Sequence, residues 1–378
     1  MIKKISYFIL VVFIFCIFTL YPFAASESVY VKRFDTPKLS LEGKWKEALS
    51  LHDQKIQKDS FWIIYSIEKM MRESNIINMC DSDNGIDLET VLFGKRSAPT
   101  EQDDRSEINN SLKSALKNAR NKKSDIKIKK KLVIMFHVNG DGKIFDVNIA
   151  TLDSKICFEG SSVIWMGEFE DLESLNFLKK TYMQATSTKI KENTTAAIAN
   201  HQTVSEIIPF LKNVIDKKNK EELRTSAIFW FGTIADEKNV DYLMQLALSN
   251  KNREAREQAV FALSISEADN RMDKLIKIIK DSDDIGTRKS AAFWLGQCKS
   301  AKITETLSDI IHDNPEIDLR KSAVFALSQN GSEASVQKLI DIVRKHKNNS
   351  IRKEAIFWLG QMDSEEAVDA IIKLAEED

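Results

Sequence analysis

Five arginines, Arg224, Arg256, Arg288, Arg320 and Arg352, recur at a spacing of 32 residues. A guanidinium stays charged and offers a planar fork of donors, so a regular row of them can act in two ways. It can hold an anionic ligand, or it can tie its own scaffold together through carboxylates and helix carbonyls. Acidic residues stand near the row, among them Glu221, Glu222, Glu254, Asp284, Glu316 and Asp318. Their proximity favours an internal ladder of charge-assisted bonds. The whole chain carries 55 Lys plus Arg against 56 Asp plus Glu, so it lacks the basic excess of a nucleic-acid surface.

A second row accompanies the arginines. Phe229, Phe261, Phe293, Phe325 and Phe357 each follow an arginine by five residues, and Ala227, Ala259, Ala291, Ala323 and Ala355 follow by three. At about 100° per helical residue, the alanines and the apolar residues four and seven positions on share one face. The phenylalanines point about 140° from the arginines, among polar neighbours, and Gln297, Gln329 and Gln361 point near 180°. Phe261, Lys289, Phe293, Gln297, Lys321, Phe325, Gln329, Lys353, Phe357 and Gln361 therefore form a candidate protein-binding face on the inner surface of a helical stack. The simpler expectation is that each ring packs against the flanking repeat.

Other chemistry finds little footing. The acidic stretch from Asp81 to Glu89 and the turn from Asn139 to Lys143 carry oxygen ligands, but neither places them at calcium-loop positions. Turn chemistry accounts for both. The four cysteines, Cys16, Cys80, Cys157 and Cys298, form no CxxC pair, which disfavours structural zinc. A Cys80–Cys157 disulfide is the nearest pairing in the mature chain, with buried single thiols as the alternative. No HExxH helix, P-loop, nucleophile elbow or dinucleotide fingerprint occurs. The expectation is no catalytic residue, no cofactor and no metal.

The elements that carry these rows repeat with them. Each unit fits two helices, with the arginine opening the second, and turns such as Asp313-Asn314-Pro315 and Lys347-Asn348-Asn349 separate them. Six residues after the arginines, Trp230, Ala262, Trp294, Ala326 and Trp358 alternate large and small; eight residues after them, Gly232, Ser264, Gly296, Ser328 and Gly360 alternate likewise. This sets a 64-residue superperiod, with the tryptophans expected in the core. A single hairpin of this size cannot bury its apolar face alone, so the units must stack.

Arginine, alanine three residues later, and a closing Leu-Gly match at Arg288, Ala291, Leu295 and Gly296, and again at Arg352, Ala355, Leu359 and Gly360. The pattern resembles the HEAT family, particularly its bacterial PBS-lyase-like subtype. The likeness is strongest from about residue 220 and fades upstream, where Ala196-Ala197-Ile198-Ala199 and then Ile164-Trp165-Met166-Gly167 are candidate degenerate units. The resemblance implies a mainly α fold, a right-handed α-solenoid of helix pairs over 161–378. It also brings an enzyme alternative, attachment of a bilin to another protein. A second resemblance, to deoxyhypusine hydroxylase, would require paired His-Glu elements, and none of His52, His137, His201, His312 or His346 precedes a glutamate.

Residues 27–160 lack the repeat and read as a small α+β region. Trp45 to Met71 suggests one or two helices, Gly94 to Asn109 a loop, Ser111 to Asn121 a short helix, and 131–150 a β-hairpin. At the N-terminus, Lys3 and Lys4 precede an uncharged apolar run from Ile5 to Leu20, and Ala24 and Ser26 supply a cleavage site, so 1–26 reads as a signal peptide. The run is slightly short of the roughly 20 residues of a membrane span; retention as an anchor over 5–23 is the alternative. The resulting expectation is an exported, periplasmic or envelope protein-binding scaffold. Its partner is another protein, not nucleic acid, with membrane contact only through an uncleaved N-terminal segment. A bilin-lyase-like enzyme and a purely structural envelope protein are the alternatives.

Overall fold

The structure, a computed structural model, describes residues 31–33, 39–55, 60–77, 85–94, 127–158, 161–217, 219–298, 300–362 and 364–376. The signal segment, the helix expected at 111–121 and residues 81–84 of the first acidic stretch lie outside the described residues. Among those described, no helix is long and apolar enough to cross a membrane.

The N-terminal part is built on a five-stranded sheet in the order β1-β7-β2-β4-β5. Its strands are β1 (Val31–Arg33), β2 (Ser60–Arg72), β4 (Lys127–Asn139), β5 (Ile144–Thr151) and β7 (Ser162–Glu168). β2 pairs antiparallel with β4 and parallel with β7, and β5 closes the β4 hairpin. The hairpin turn is held by Lys143 N–H donating to Asn139 Oδ1 at 2.8 Å, with Gly142 at φ +76°. That geometry is turn chemistry at the second calcium-like stretch.

Two expectations fail here for one reason. Only α1 (Leu41–Lys55) of the helices expected over 45–71 forms; the segment from Phe61 is strand β2. The run Ile164-Trp165-Met166-Gly167, expected to open a degenerate repeat, lies in β7 and joins the sheet rather than the solenoid. Both runs are continuously apolar because the sheet is buried on both faces. Such short runs do not reveal a helical or strand period. Phe61, Ile63, Tyr65 and Ile67 enter the main core, and Trp62 and Ile64 enter a second core. The second core also holds Leu88 and Leu92 of α2 (Leu88–Phe93) and Ile156 of the short strand β6 (Lys155–Ile156), which pairs with β3 (Ile86–Asp87).

The helix pairs begin at α3 (Asp171–Gln184) and α4 (Thr188–Ala199), ten residues after the boundary expected at 161. They continue as α5 (Val204–Asp216) with α6 (Glu221–Ile234), α7 (Val240–Ser249) with α8 (Arg253–Ile265), and α9 (Arg271–Asp281) with α10 (Ile285–Gly296). Then follow α11 (Ala301–Asp313) with α12 (Ile317–Asn330), α13 (Glu333–Lys345) with α14 (Asn349–Leu359), and finally α15 (Glu365–Glu376). The run Ala196 to Ala199, read as a weak upstream unit, is indeed the end of a second helix, α4. β5 packs on α4 and α4 on α6, so sheet and solenoid share one continuous core.

Short side chains fix where several second helices start. Asn252, Asp284 and Asn348 sit at N-cap positions and accept from Ala255, Thr287 and Ile351 N–H groups respectively. Cys157 is disulfide-bonded and Cys298 is free; Cys80, the partner expected from the sequence, lies outside the described residues.

Candidate functional site

The arginine row folds inward. Arg224, Arg288, Arg320 and Arg352 each donate from Nε to a carbonyl of the preceding first helix, those of Ile215, Ile279, Ile311 and Val343, at 2.7–2.9 Å. Arg256 reaches Asn250 O through Nη1 at 2.9 Å. These carbonyls lie in last helical turns and lack intrahelical partners, so a guanidinium satisfies them with charge-assisted bonds. The remaining donors of two arginines reach the N-cap acid of the next unit, Arg256 to Asp284 and Arg288 to Glu316, while Arg224 pairs with Glu221 of its own helix. At Arg320 the equivalent N-cap residue is Asn348, and the guanidinium instead lies 2.7 Å from His346 Nε2. Burial, with the Arg320 and His312 charges adding, holds the His346 pKa below the usual histidine range. One period upstream, Glu192 occupies the arginine position; burial and then the nearby Glu222 carboxylate push its pKa up. The row is scaffold.

The phenylalanine row forms a continuous aromatic ribbon across the second helices. Phe229 stacks on Phe261 (centroids 6.0 Å apart, planes at 18°), and Phe261 leans on Trp294 (4.7 Å, 36°). Trp294 meets Phe293 of its own helix edge-on, and Phe293 stacks on Phe325 (5.8 Å, 15°). Phe325 leans on Trp358 (4.4 Å, 42°), which meets Phe357 edge-on. Centroid separations of this size are those at which rings attract beyond simple area burial. The rings are half-buried, and Phe357 is 50% exposed. Packing against the flanking repeat and presenting an aromatic edge to solvent are thus compatible.

The superperiod has a steric cause. A Cβ on Gly232 would lie 2.5 Å from Ala262 O, and one on Gly296 would lie 2.5 Å from Ala326 O. Glycine on one helix and alanine on the next let α6 approach α8, and α10 approach α12, closely enough for the near-parallel Phe pairs. At the alternate junctions Trp294 and Trp358 fill the space instead. Those tryptophans, expected in the core, do pack against it, but they are half-buried and their outer edges join the ribbon. The angular signal was present, because a position six residues after the arginine points about 240° round, at the edge of the alanine face.

Of the polar residues expected beside the rings, Lys289, Lys353, Gln297, Gln329 and Gln361 are exposed. Lys321 is half-buried, 3.8 Å from Glu354. Glu354 also accepts from the Trp358 indole at 2.9 Å. The indole N–H groups of Trp230 and Trp294 meet no acceptor among the described residues, where serines (Ser226, Ser290) replace the glutamate. Aromatic edges, indole donors, amides and ammonium groups therefore recur at fixed spacing along one side. Among the described residues, no three His, Cys, Asp or Glu side chains gather in a way that could hold a metal.

Residues 272–346 match a family model described as HEAT repeats, and residues 351–377 match one described as PBS lyase HEAT-like repeat. No curated protein sequence matches the chain. Among solved structures the chain is similar to human deoxyhypusine hydroxylase in complex with glycerol, at 15% identity over 53% of this chain and 75% of that one, TM-score 0.28. It is also similar to the complex of CpcE and CpcF of phycocyanin lyase from Nostoc sp. PCC7120, at 16% identity over 50% of this chain and 98% of that one, TM-score 0.24. A third similarity is to importin beta, at 14% identity over 54% of this chain but only 31% of that one, TM-score 0.29. The described helix pairs and the two repeat matches agree on the fold, a HEAT-like α-solenoid preceded by a small β region.

Proposed function

We propose that this chain is a non-catalytic protein-binding scaffold that works outside the cytoplasm and recognises its partner along the aromatic ribbon. The observation that carries the reading is the ribbon itself: half-exposed Phe and Trp rings from five consecutive units, bordered by exposed Gln297, Gln329, Gln361, Lys289 and Lys353. Aromatics give a binding surface area at low entropic cost, and unspent amide and indole donors give it specificity. The extracytoplasmic part rests on the N-terminal charged and apolar segments, and the disulfide at Cys157 is in keeping with an oxidising compartment.

A second reading draws on the description of the repeat matched at 351–377, that of an enzyme built on HEAT-like repeats and acting as a bilin lyase. It would need convergent titratable groups along the solenoid beside a chromophore-sized cleft. The third reading, a structural envelope protein, would leave the ribbon without a ligand.

Affinity capture from envelope extracts with the wild-type chain and a Gln297→Glu/Gln329→Glu variant separates these readings. Loss of specific partners by the variant, with circular dichroism unchanged, is the expected result. Equal recovery by both proteins counts against the ribbon, and covalent transfer of a bilin to a captured protein supports the lyase.

A further inference from the structure

At the end of the sheet that faces α3, five parts of the chain, Lys129 of β4 among them, line an open cavity of about 540 Å³. Lys69 and Met70 come from the end of β2, Lys44 from α1, Phe169 and Asp171 from the start of α3, and Gln202 from the turn after α4. Lys44 is only 8% exposed. Its ammonium donates to Met166 O at 2.9 Å and lies over the Phe169 ring at 5.2 Å, and no carboxylate of the described residues pairs with it. A buried ammonium without a counter-ion is costly, and one carbonyl uses a single one of its three donors. Lys69, half-buried, has neither a hydrogen bond nor an ion pair among the described residues. Burial lowers its pKa to about 8, against the pull of Asp171.

Four of the five carboxylates that line the cavity are already engaged. Glu68 pairs with Lys129 and Glu168 with Lys131. Asp171 accepts from Gln202 N, Thr203 N and Thr203 Oγ1, and Glu173 accepts from Leu41 N. Only Glu170, exposed at the mouth, has no partner among the described residues. The capacity left unspent inside is donor capacity, on two ammonium groups set against Leu39, Met70 and Phe169.

The wall is rigid. His201 Nδ1–H donates to Ala197 O at 2.8 Å, which leaves Nε2 to accept from Ser174 Oγ at 2.8 Å, and Ser174 Oγ accepts from the Tyr65 hydroxyl at 2.7 Å. Each member has its partner, and burial keeps His201 neutral by lowering its pKa. Ser174 is fully buried, so this serine–histidine contact cannot meet a substrate; it fixes α3 and the turn that carries Gln202.

We infer that this cavity binds a small organic anion, its carboxylate or phosphate group held by Lys44 and Lys69 and its apolar body against Met70 and Phe169. The site is independent of the ribbon and of the partner that the ribbon takes. Isothermal titration of the full chain with inorganic phosphate, hexanoate and hexyl phosphate tests it, alongside Lys69→Met and a distant control, Lys302→Met. The wild type and the control should bind at least one probe saturably, and Lys69→Met should weaken that binding roughly tenfold or more, as loss of a charge-assisted bond does. Lys44→Met should do the same wherever its circular dichroism matches the wild type, while Lys69→Met, at a half-exposed position, carries the test regardless of that outcome. Binding of inorganic phosphate alone assigns the site to free phosphate, and binding of the alkyl anions alone assigns it to an organic acid. No saturable binding of any probe, or equal affinity in Lys69→Met, overturns the inference.

Discussion

The first and second helices of the solenoid follow the same 32-residue period, yet they are joined along the stack by different physics. Successive first helices are tied by exposed ion pairs: Lys274 of α9 to Asp241 of α7, Lys302 of α11 to Asp273 of α9, and Lys338 of α13 to Glu305 of α11. Successive second helices are joined by glycine–alanine approach and ring stacking, with Ile228, Val260, Ala292 and Val324 fully buried beneath. Solvated ion pairs each contribute about 0–1 kcal/mol, whereas close-packed contacts respond to a single methylene. Cohesion therefore sits in the second row, and so does the regular spacing of what it shows to solvent. The first row can vary its charges without disturbing the stack.

The sharpest way to break this contrast is at the glycines. Gly296→Ala should destabilise the chain by about 1–3 kcal/mol through overpacking, even though alanine is the better helix former by about 1 kcal/mol. Gly360→Ala should be neutral or stabilising, because its Cβ would meet only carbonyls of its own helix and Ile371 Cδ1, at ordinary contact distances of 3.5–3.8 Å. Urea denaturation of the two variants checks the pair; a Gly296→Ala protein as stable as the wild type would refute the close-approach account.

The arginines join the two rows and carry an effect of similar size. Arg288→Ala should cost about 1.5–3 kcal/mol, since it removes charge-assisted bonds to Ile279 O and Glu316. Asn348→Asp would give Arg320 the carboxylate that Asp284 and Glu316 give the preceding arginines. It should raise the melting temperature slightly, by the equivalent of about 0.5 kcal/mol. A fall in melting temperature would mean that the His346 contact is the better partner. The smallest effect belongs to the first row: Lys302→Ala should change stability by less than about 1 kcal/mol, and less still at high salt. A larger loss would show that the exposed pairs matter more to the stack than the contacts beneath them.

Legibility in the sequence followed the strength of periodicity. From Glu221 onward every second helix contains its arginine, and the alanine face is buried. The ring row was legible as an angle, but its stacking on the neighbouring unit was not, nor was the half-exposure of Trp294. An angle on one helix says nothing about how far the next helix stands away. In the N-terminal part, Phe61 to Ile67 and Val163 to Met166 carry no alternation because both sheet faces are covered, so their strands were read as helix or repeat. The Lys44–Lys69 cavity left no trace at all, since its lining comes from segments more than a hundred residues apart.

What the sequence determined by itself is the period: an arginine, alanine and phenylalanine every 32 residues dictate stacked helix pairs, because no single pair can bury its own apolar face. What only the tertiary structure decided is the distance between neighbours. Gly232 and Gly296 close two junctions, while Trp294 and Trp358 occupy the alternate ones, and the packing of α1 on the sheet brings Lys44 and Lys69 onto one cavity. Those distances depend on the summed packing of many side chains on separate elements, which local pattern does not encode.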